Sequence, residues 1–138
     1  MARNPGRPLS PHLTIWKWGP HMLVSILHRA TGSAMAIGGG ILFVWWLSAL
    51  ASGQEAYGRF VDMMTSDRTG MLNWLPLLVL VGLTWAFFQH LCSGVRHLFL
   101  DAGANFELKR NKTSAMATMV VSVLLTLAVW GSILGNSF

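Results

Sequence analysis

Apolar residues gather into three long runs, roughly Leu23 to Leu50, Met71 to Leu100 and Ser114 to Leu134, separated by short polar segments. Each run exceeds the ~20 residues that a helix needs to cross a bilayer core. The pattern predicts an all-α membrane protein with three transmembrane helices, preceded by a short N-terminal interfacial segment, in a single membrane-anchor domain over 1–138. The connections QEAYGRFVDMMTSDRTG and DAGANFELKRNKT are polar and Gly-containing, and read as linkers, with Met63 and Met64 in a loop. Thr113 or Ser114 is expected to cap the third helix, and Gly135-Asn136 to end it.

Composition agrees with this class. Hydrophobic residues make up 53% of the chain and charged residues 11%, under half of the ~25% usual in soluble domains. The net charge of +5 does not indicate nucleic-acid binding, because the basic residues sit at the ends of apolar runs without interleaved stacking aromatics. They act instead as orientation signals. Arg3, Arg7, Lys17, Arg29, Arg96, Lys109, Arg110 and Lys112 fall on the side of the N-terminus and second linker, and only Arg59 and Arg68 on the other. That asymmetry predicts the N-terminus inside and the C-terminus outside. Trp16, Trp18 and Trp74 lie near the expected interfaces, whereas Trp45, Trp46, Trp85 and Trp130 lie deeper and read as packing residues. His12 and His21 read as interfacial. MARNPGRPLS lacks the apolar core of a cleavable signal peptide, which suggests bacterial expression. Cys92, the single cysteine, reads as inert apolar packing, and no CxxCH supports covalent haem attachment.

Ionisable groups inside a membrane are costly and usually functional. In SILHRATG, residues 25–32, Ser25, His28, Arg29 and Gly32 fall at i, i+3, i+4 and i+7, one helical face. Gly32, Ala36, Gly39 and Gly40 continue it as a small-residue stripe that would admit a helix or a flat cofactor. Arg29 alone could simply snorkel to the surface, but that leaves the hydroxyl and imidazole beside it unexplained.

In FFQHLCSGVRHLFLDAG, residues 87–103, His90 precedes Asp101 by 11 positions, about 16 Å along a helix, which places it near mid-membrane. A neutral imidazole there needs a partner. An interhelical hydrogen bond is one answer and iron ligation another. Gly94, one turn along, would leave room for a macrocycle, and His97 with Arg96 would form a cationic end for propionates. His90 and His97 are about 10 Å apart along the axis, too far to share one iron. His28 is a second internal candidate ligand, expected nearer the inner surface than His90. Asp101 is expected to pair with a basic neighbour such as Arg96.

RPLSPHLTIWKW (7–18), SILHRATG (25–32) and HLCSGVRHLFLDAG (90–103), in that order and spacing, resemble the cytochrome b556 family of succinate dehydrogenase anchors, the larger membrane anchor of complex II. The first block is similar to the alphaproteobacterial and mitochondrial branch. Trp16 departs from the Tyr frequent in mitochondrial relatives, a conservative aromatic change. The loop 51–70 and third helix carry no motif. The resemblance implies that His90, from H-x-x-x-G-x-R-H, is an axial ligand to the iron of haem b, the other ligand coming from the small anchor subunit. It implies that Ser25 and Arg29, from S-x-x-H-R-x-T-G, line a ubiquinone site walled by Ile26 and Trp18. His28 is implied near the haem propionates, with His97 joining it. Partners implied are the small anchor, an iron–sulfur subunit and a flavoprotein subunit in a bacterial inner (plasma) membrane rather than a mitochondrial one, with succinate oxidised in the partners. This chain has no flavin motif and no cysteine cluster.

Three other readings stay open at this level. The chain could anchor a quinol:fumarate reductase. It could belong to a transporter, although three helices contain no inverted repeat or broken-helix pair. It could be a structural anchor whose polar residues serve helix contacts.

Overall fold

The computed structural model describes residues 6, 17–66, 72–104 and 106–135. The first motif block therefore lies largely outside the described residues, His12 and Trp16 included, as do Arg3, Arg7, Arg68, Met71 and Asn136. The described elements run α1 (Pro20–Ala34), a π-helical segment (Met35–Gly39), α2 (Gly40–Ala51), α3 (Gln54–Met64), α4 (Trp74–Asp101) and α5 (Leu108–Gly135). Pro20–Ala51 forms one continuous span of 32 residues; Trp74–Asp101 and Leu108–Gly135 give two more of 28 each. At ~1.5 Å per residue all three exceed the ~30 Å hydrocarbon thickness, and the protein is a multi-pass membrane protein.

Local chemistry sets the ends. Gly19 is extended and Pro20 opens α1, where its missing N–H costs nothing. Gly103, at φ 82, ends α4: its N–H bonds Leu100 O at 2.9 Å, and Ala104 N–H bonds Phe99 O at 2.9 Å, the paired closure favoured when glycine follows a helix. The third span begins at Leu108, not at Ser114. Thr113 and Ser114 do not cap it; their hydroxyls donate back to Lys109 O and Asn111 O at 3.0 Å each. Lys109, Arg110 and Lys112 are good helix formers, and a helix can continue beyond the apolar run into the polar interface.

The first linker is not featureless. Residues 54–64 form α3, so Met63 and Met64 are helical rather than in a loop. Tyr57, Phe60, Val61 and Met64 recur at helical spacing, with charged Arg59 and Asp62 between them and Glu55 ahead of them. Phe60 packs edge-on against Trp45 of α2, with ring centroids 4.8 Å apart. Asn73 staples α3 to α4: its N–H donates to Met64 O at 2.8 Å, and its side chain to Met63 O and Thr65 O at 3.2 and 3.1 Å.

The π-helical segment divides the first span into two differently packed halves. Above it, α1 packs on both α4 and α5; below it, α2 packs mainly on α3. Inserted π turns are a common cause of helix redirection. The opening between α2, α3 and α4 holds an apolar cavity of about 410 Å³, lined by Leu42, Phe43 and Trp46 on one side and Leu80 and Leu83 on the other, with Phe60 and Met64 at its floor. The small-residue stripe expected below Gly32 is consequently broken: Ala36 is exposed, while Gly38 and Gly39 approach Leu83.

Inside the α1–α4–α5 bundle the buried residues are mostly polar or small: Val24, Thr31, Ala86, Gln89, Ser93, Arg96, Ala115, Thr118, Ser122 and Thr126. Large apolar side chains face outward. Lipid already solvates such side chains, so helices associate through small residues and hydrogen bonds.

Candidate functional site

The bundle's α1–α4 seam contains three histidines. The rings of His28 and His90 stack, with centroids 3.9 Å apart and planes inclined 11°. His97 stands edge-on to His28 at 5.1 Å. His28 is therefore not separated from His90 by depth, as the sequence suggested; the antiparallel crossing of α1 and α4 brings them together. Both sit over glycine. A Cβ at Gly32 would lie 2.9 Å from His90 Cε1, and one at Gly94 3.7 Å from His28 Cε1. The space expected beside Gly94 for a flat ligand is thus taken by an imidazole of this chain.

Hydrogen bonds orient both rings. His90 Nδ1 lies 2.9 Å from the backbone carbonyl of His28. A carbonyl only accepts, so Nδ1 is the donor, which leaves Nε2 as the ring nitrogen that can offer a lone pair. His28 Nδ1 lies 2.7 Å from Ser93 Oγ. The Ser93 hydroxyl itself donates to Gln89 O at 2.6 Å, leaving its oxygen to accept from His28. Thr31 donates to Leu27 O at 2.7 Å and lies a looser 3.4 Å from His90 Nδ1. Ser93 and Thr31 were not singled out from sequence. The signal for Ser93 was its position three residues after His90, the same helical neighbourhood.

Arg96 does not join His97. It is buried, donating from Nε to Ser114 Oγ at 3.1 Å and from Nη2 to Asn111 Oδ1, both on α5. Six positions from His90 turn a side chain about 240° around a helix, whereas seven turn it nearly full circle. Arg96 therefore shares the face of Gln89 and Ser93, and His97 that of His90. Its bonds to α5 also replace the expected pairing with Asp101. Gln89 reaches α5 too, accepting from Ser122 Oγ at 2.7 Å. Cys92 is a free, half-buried thiol.

The SILHRATG face is split along its length. Val24 and Thr31 are buried; His28 and Gly32 turn toward α4, Ser25 is half-buried, and Arg29 and Ile26 are exposed. Residues spread over i, i+3, i+4 and i+7 cover about 100° of helix, enough for one edge to pack while the other stays open. Trp18, just before α1, is 65% exposed. Ile26, Arg29 and Trp18 are thus exposed at the N-terminal end of the first span, with Ser25 half-buried beside them in sequence. Among the described residues, no group of three or more His, Cys, Asp or Glu side chains is arranged to hold a metal ion.

Residues 3–129 match the family model described as succinate dehydrogenase/fumarate reductase transmembrane subunit. The chain belongs to this family. It is 37% identical over 124 residues to the succinate dehydrogenase cytochrome b556 subunit of Rickettsia felis, covering 90% of each chain. It is 36% identical over 119 residues to the subunit of that name from Paracoccus denitrificans, covering 86% and 85%. The mitochondrial cytochrome b560 subunit of Mus musculus is 36% identical over 119 residues, 86% of this chain and 66% of the mouse protein. As a transmembrane subunit of this family, the chain places its cluster of polar side chains at one end of a three-helix bundle.

Proposed function

We propose that this chain is the larger cytochrome b membrane anchor of a succinate:ubiquinone oxidoreductase. In this reading it binds haem b jointly with the small anchor subunit and forms part of the site where ubiquinone is reduced. The observation that carries the reading is the hydrogen bond from His90 Nδ1–H to the His28 carbonyl. An iron ligand must present an unprotonated nitrogen, and a backbone acceptor on the other ring nitrogen is the usual way to provide it. The donor set therefore fits a single ligand from this chain, and His90 would hold the iron. His28 stacks face to face on His90 and would not share that role, so the small anchor would supply the other ligand. When bound, haem b supplies a one-electron redox centre inside the membrane. His28 and His97, beside His90, are the chain's candidates for the propionates.

For the quinone, Ser25 donates a hydrogen bond to a carbonyl oxygen, and Arg29 stabilises negative charge developing there. Ile26 and Trp18 supply apolar walls. Arg29 is exposed on this chain, so the site closes against partner subunits. Those partners, an iron–sulfur and a flavoprotein subunit, oxidise succinate and deliver electrons. The excess of basic residues at this end supports an inner-side placement, and the bacterial relatives support a plasma membrane. The family description also covers anchors of fumarate reductase, but the relatives named above are succinate dehydrogenase subunits.

A reduced-minus-oxidised absorption spectrum of the purified complex, with succinate as reductant, tests the reading. A b-type haem signal is expected, and His90→Leu is expected to remove or strongly perturb it. An intact complex without haem, or a normal bis-histidine spectrum in assembled His90→Leu, overturns it.

A further inference from the structure

If His90 holds the iron, something must hold His90. Its Nδ1 has two oxygen neighbours, both from α1: the His28 carbonyl at 2.9 Å and Thr31 Oγ at 3.4 Å. The nearer is backbone. Thr31 spends its proton on Leu27 O, at 2.7 Å, and its approach to His28 O is longer at 3.1 Å. In a helix the carbonyl of residue 28 already receives the N–H of residue 32, but a carbonyl has a second lone pair. That lone pair takes the His90 proton. The ring reaches it only because residue 32 has no side chain: a Cβ there would lie 2.9 Å from His90 Cε1 and 3.3 Å from Nδ1. These distances are too short for a rigidly held ring. The corresponding glycine on α4 is less demanding, since a Cβ at Gly94 would meet His28 Cε1 at an ordinary 3.7 Å.

We infer that the backbone of α1 positions and tunes the iron ligand on α4: the His28 carbonyl holds the Nδ1 proton of His90, and Gly32 provides the space that lets the ring reach it. Gly32 and the His28 carbonyl are positioning groups. A hydrogen bond at Nδ1 gives the imidazole partial imidazolate character, which makes Nε2 a stronger donor and favours ferric iron. Weakening that bond raises the haem midpoint potential. The inference rests on His90 being a haem ligand, and the two fail separately.

The test uses the complete membrane complex with Gly32→Ala, Gly82→Ala and His90→Leu in this chain. Haem is quantified, its midpoint potential titrated by absorption, and its low-spin ferric signal recorded by EPR. Gly32→Ala is expected to shift the potential upward and move the g-values, or to lose haem. Gly82→Ala, on α4 with nothing within 4 Å of the added Cβ, is expected to match wild type. Haem retained in Gly32→Ala with unchanged potential and g-values overturns the inference, as do equal shifts in both glycine variants, which would mean general packing. Should Gly32→Ala fail to assemble, a cryo-EM map of the wild-type complex decides. His90 Nδ1 within ~3.2 Å of the His28 carbonyl supports the inference, and Nδ1 facing another group overturns it. A bis-histidine haem persisting in His90→Leu instead removes the ligand assignment beneath it.

Discussion

The two halves of the bundle, divided by the π-helical segment of the first span, solve packing in opposite ways. On the N-terminal side α1, α4 and α5 meet around polar groups: two stacked imidazoles, Ser93, Thr31, Gln89 and a buried Arg96 bonded to Ser114 and Asn111. On the other side α2 parts from α4 around an apolar cavity, and α3 covers its end. Hydrogen bonds have narrow distance limits, so helices joined by them must approach closely and in one register. Apolar walls in lipid carry no such demand, because acyl chains are as good a neighbour as leucine. Packing specificity is concentrated where the polar groups are.

The largest expected effect tests whether chemistry is confined to one half. Arg29→Gln, at the polar end, is expected to lower quinone reduction about 10²-fold, the scale of losing one donor to developing charge. Succinate oxidation with an artificial acceptor should persist. Arg59→Gln, on the exposed face of α3, changes charge equally but should leave both rates within error. Its partner is Glu55 at 3.5 Å in a solvent-exposed pair, which contributes little. Equal losses from the two variants would dissolve the division of labour proposed for the two ends.

A smaller effect tests packing. Ala115 on α5 is fully buried, so Ala115→Leu drives a larger side chain into the polar seam. Overpacking of this kind costs about 1–3 kcal/mol. Leu80→Ala, at the apolar cavity, removes side-chain volume where lipid or detergent can refill it, and is expected to cost less than a sealed-core truncation of about 2–5 kcal/mol. Thermal loss of the folded complex in one detergent reads both. A lower midpoint for Leu80→Ala than for Ala115→Leu would mean that the cavity is the better-packed region.

Much of this organisation was legible in the sequence, for identifiable reasons. Three spans follow from run length alone. His90 and the SILHRATG face stand out because polar groups are rare in lipid. What composition concealed was angular. Arg96 and His97 are sequence neighbours, yet they diverge by one residue's rotation, so one reaches α5 and the other His28. A helical wheel drawn from His90 separates them, but only packing shows that α5 supplies Ser114 and Asn111. The stacking of His28 on His90 was hidden because it depends on where antiparallel α1 and α4 cross, which no single helix encodes. The α3 helix was obscured by its charges, although Tyr57, Phe60, Val61 and Met64 carry the period. The π-helical segment runs into α2 through three successive glycines, 38–40, and the redirection it brings could not be read from them.

The smallest effect concerns the polar seam itself. Gln89 is fully buried and accepts from Ser122, but its amide nitrogen has no hydrogen-bond partner among the described residues. Gln89→Leu removes one interhelical hydrogen bond, worth about 0.6 kcal/mol on average in membrane bundles. It also removes the desolvation penalty of the unpaired donor, about 1–3 kcal/mol. Ser122 is not stranded by the change, because its hydroxyl also reaches Met119 O at 2.9 Å. The terms oppose each other, and Gln89→Leu is expected to leave thermal stability unchanged or slightly raised. The haem spectrum should be retained, because the His90 bond to α1 is untouched. If instead the variant is destabilised by more than Ala115→Leu, the free amide nitrogen has a partner in the assembled complex. The polar seam would then extend beyond this chain, and the contrast between the two halves would be sharper than the single chain displays.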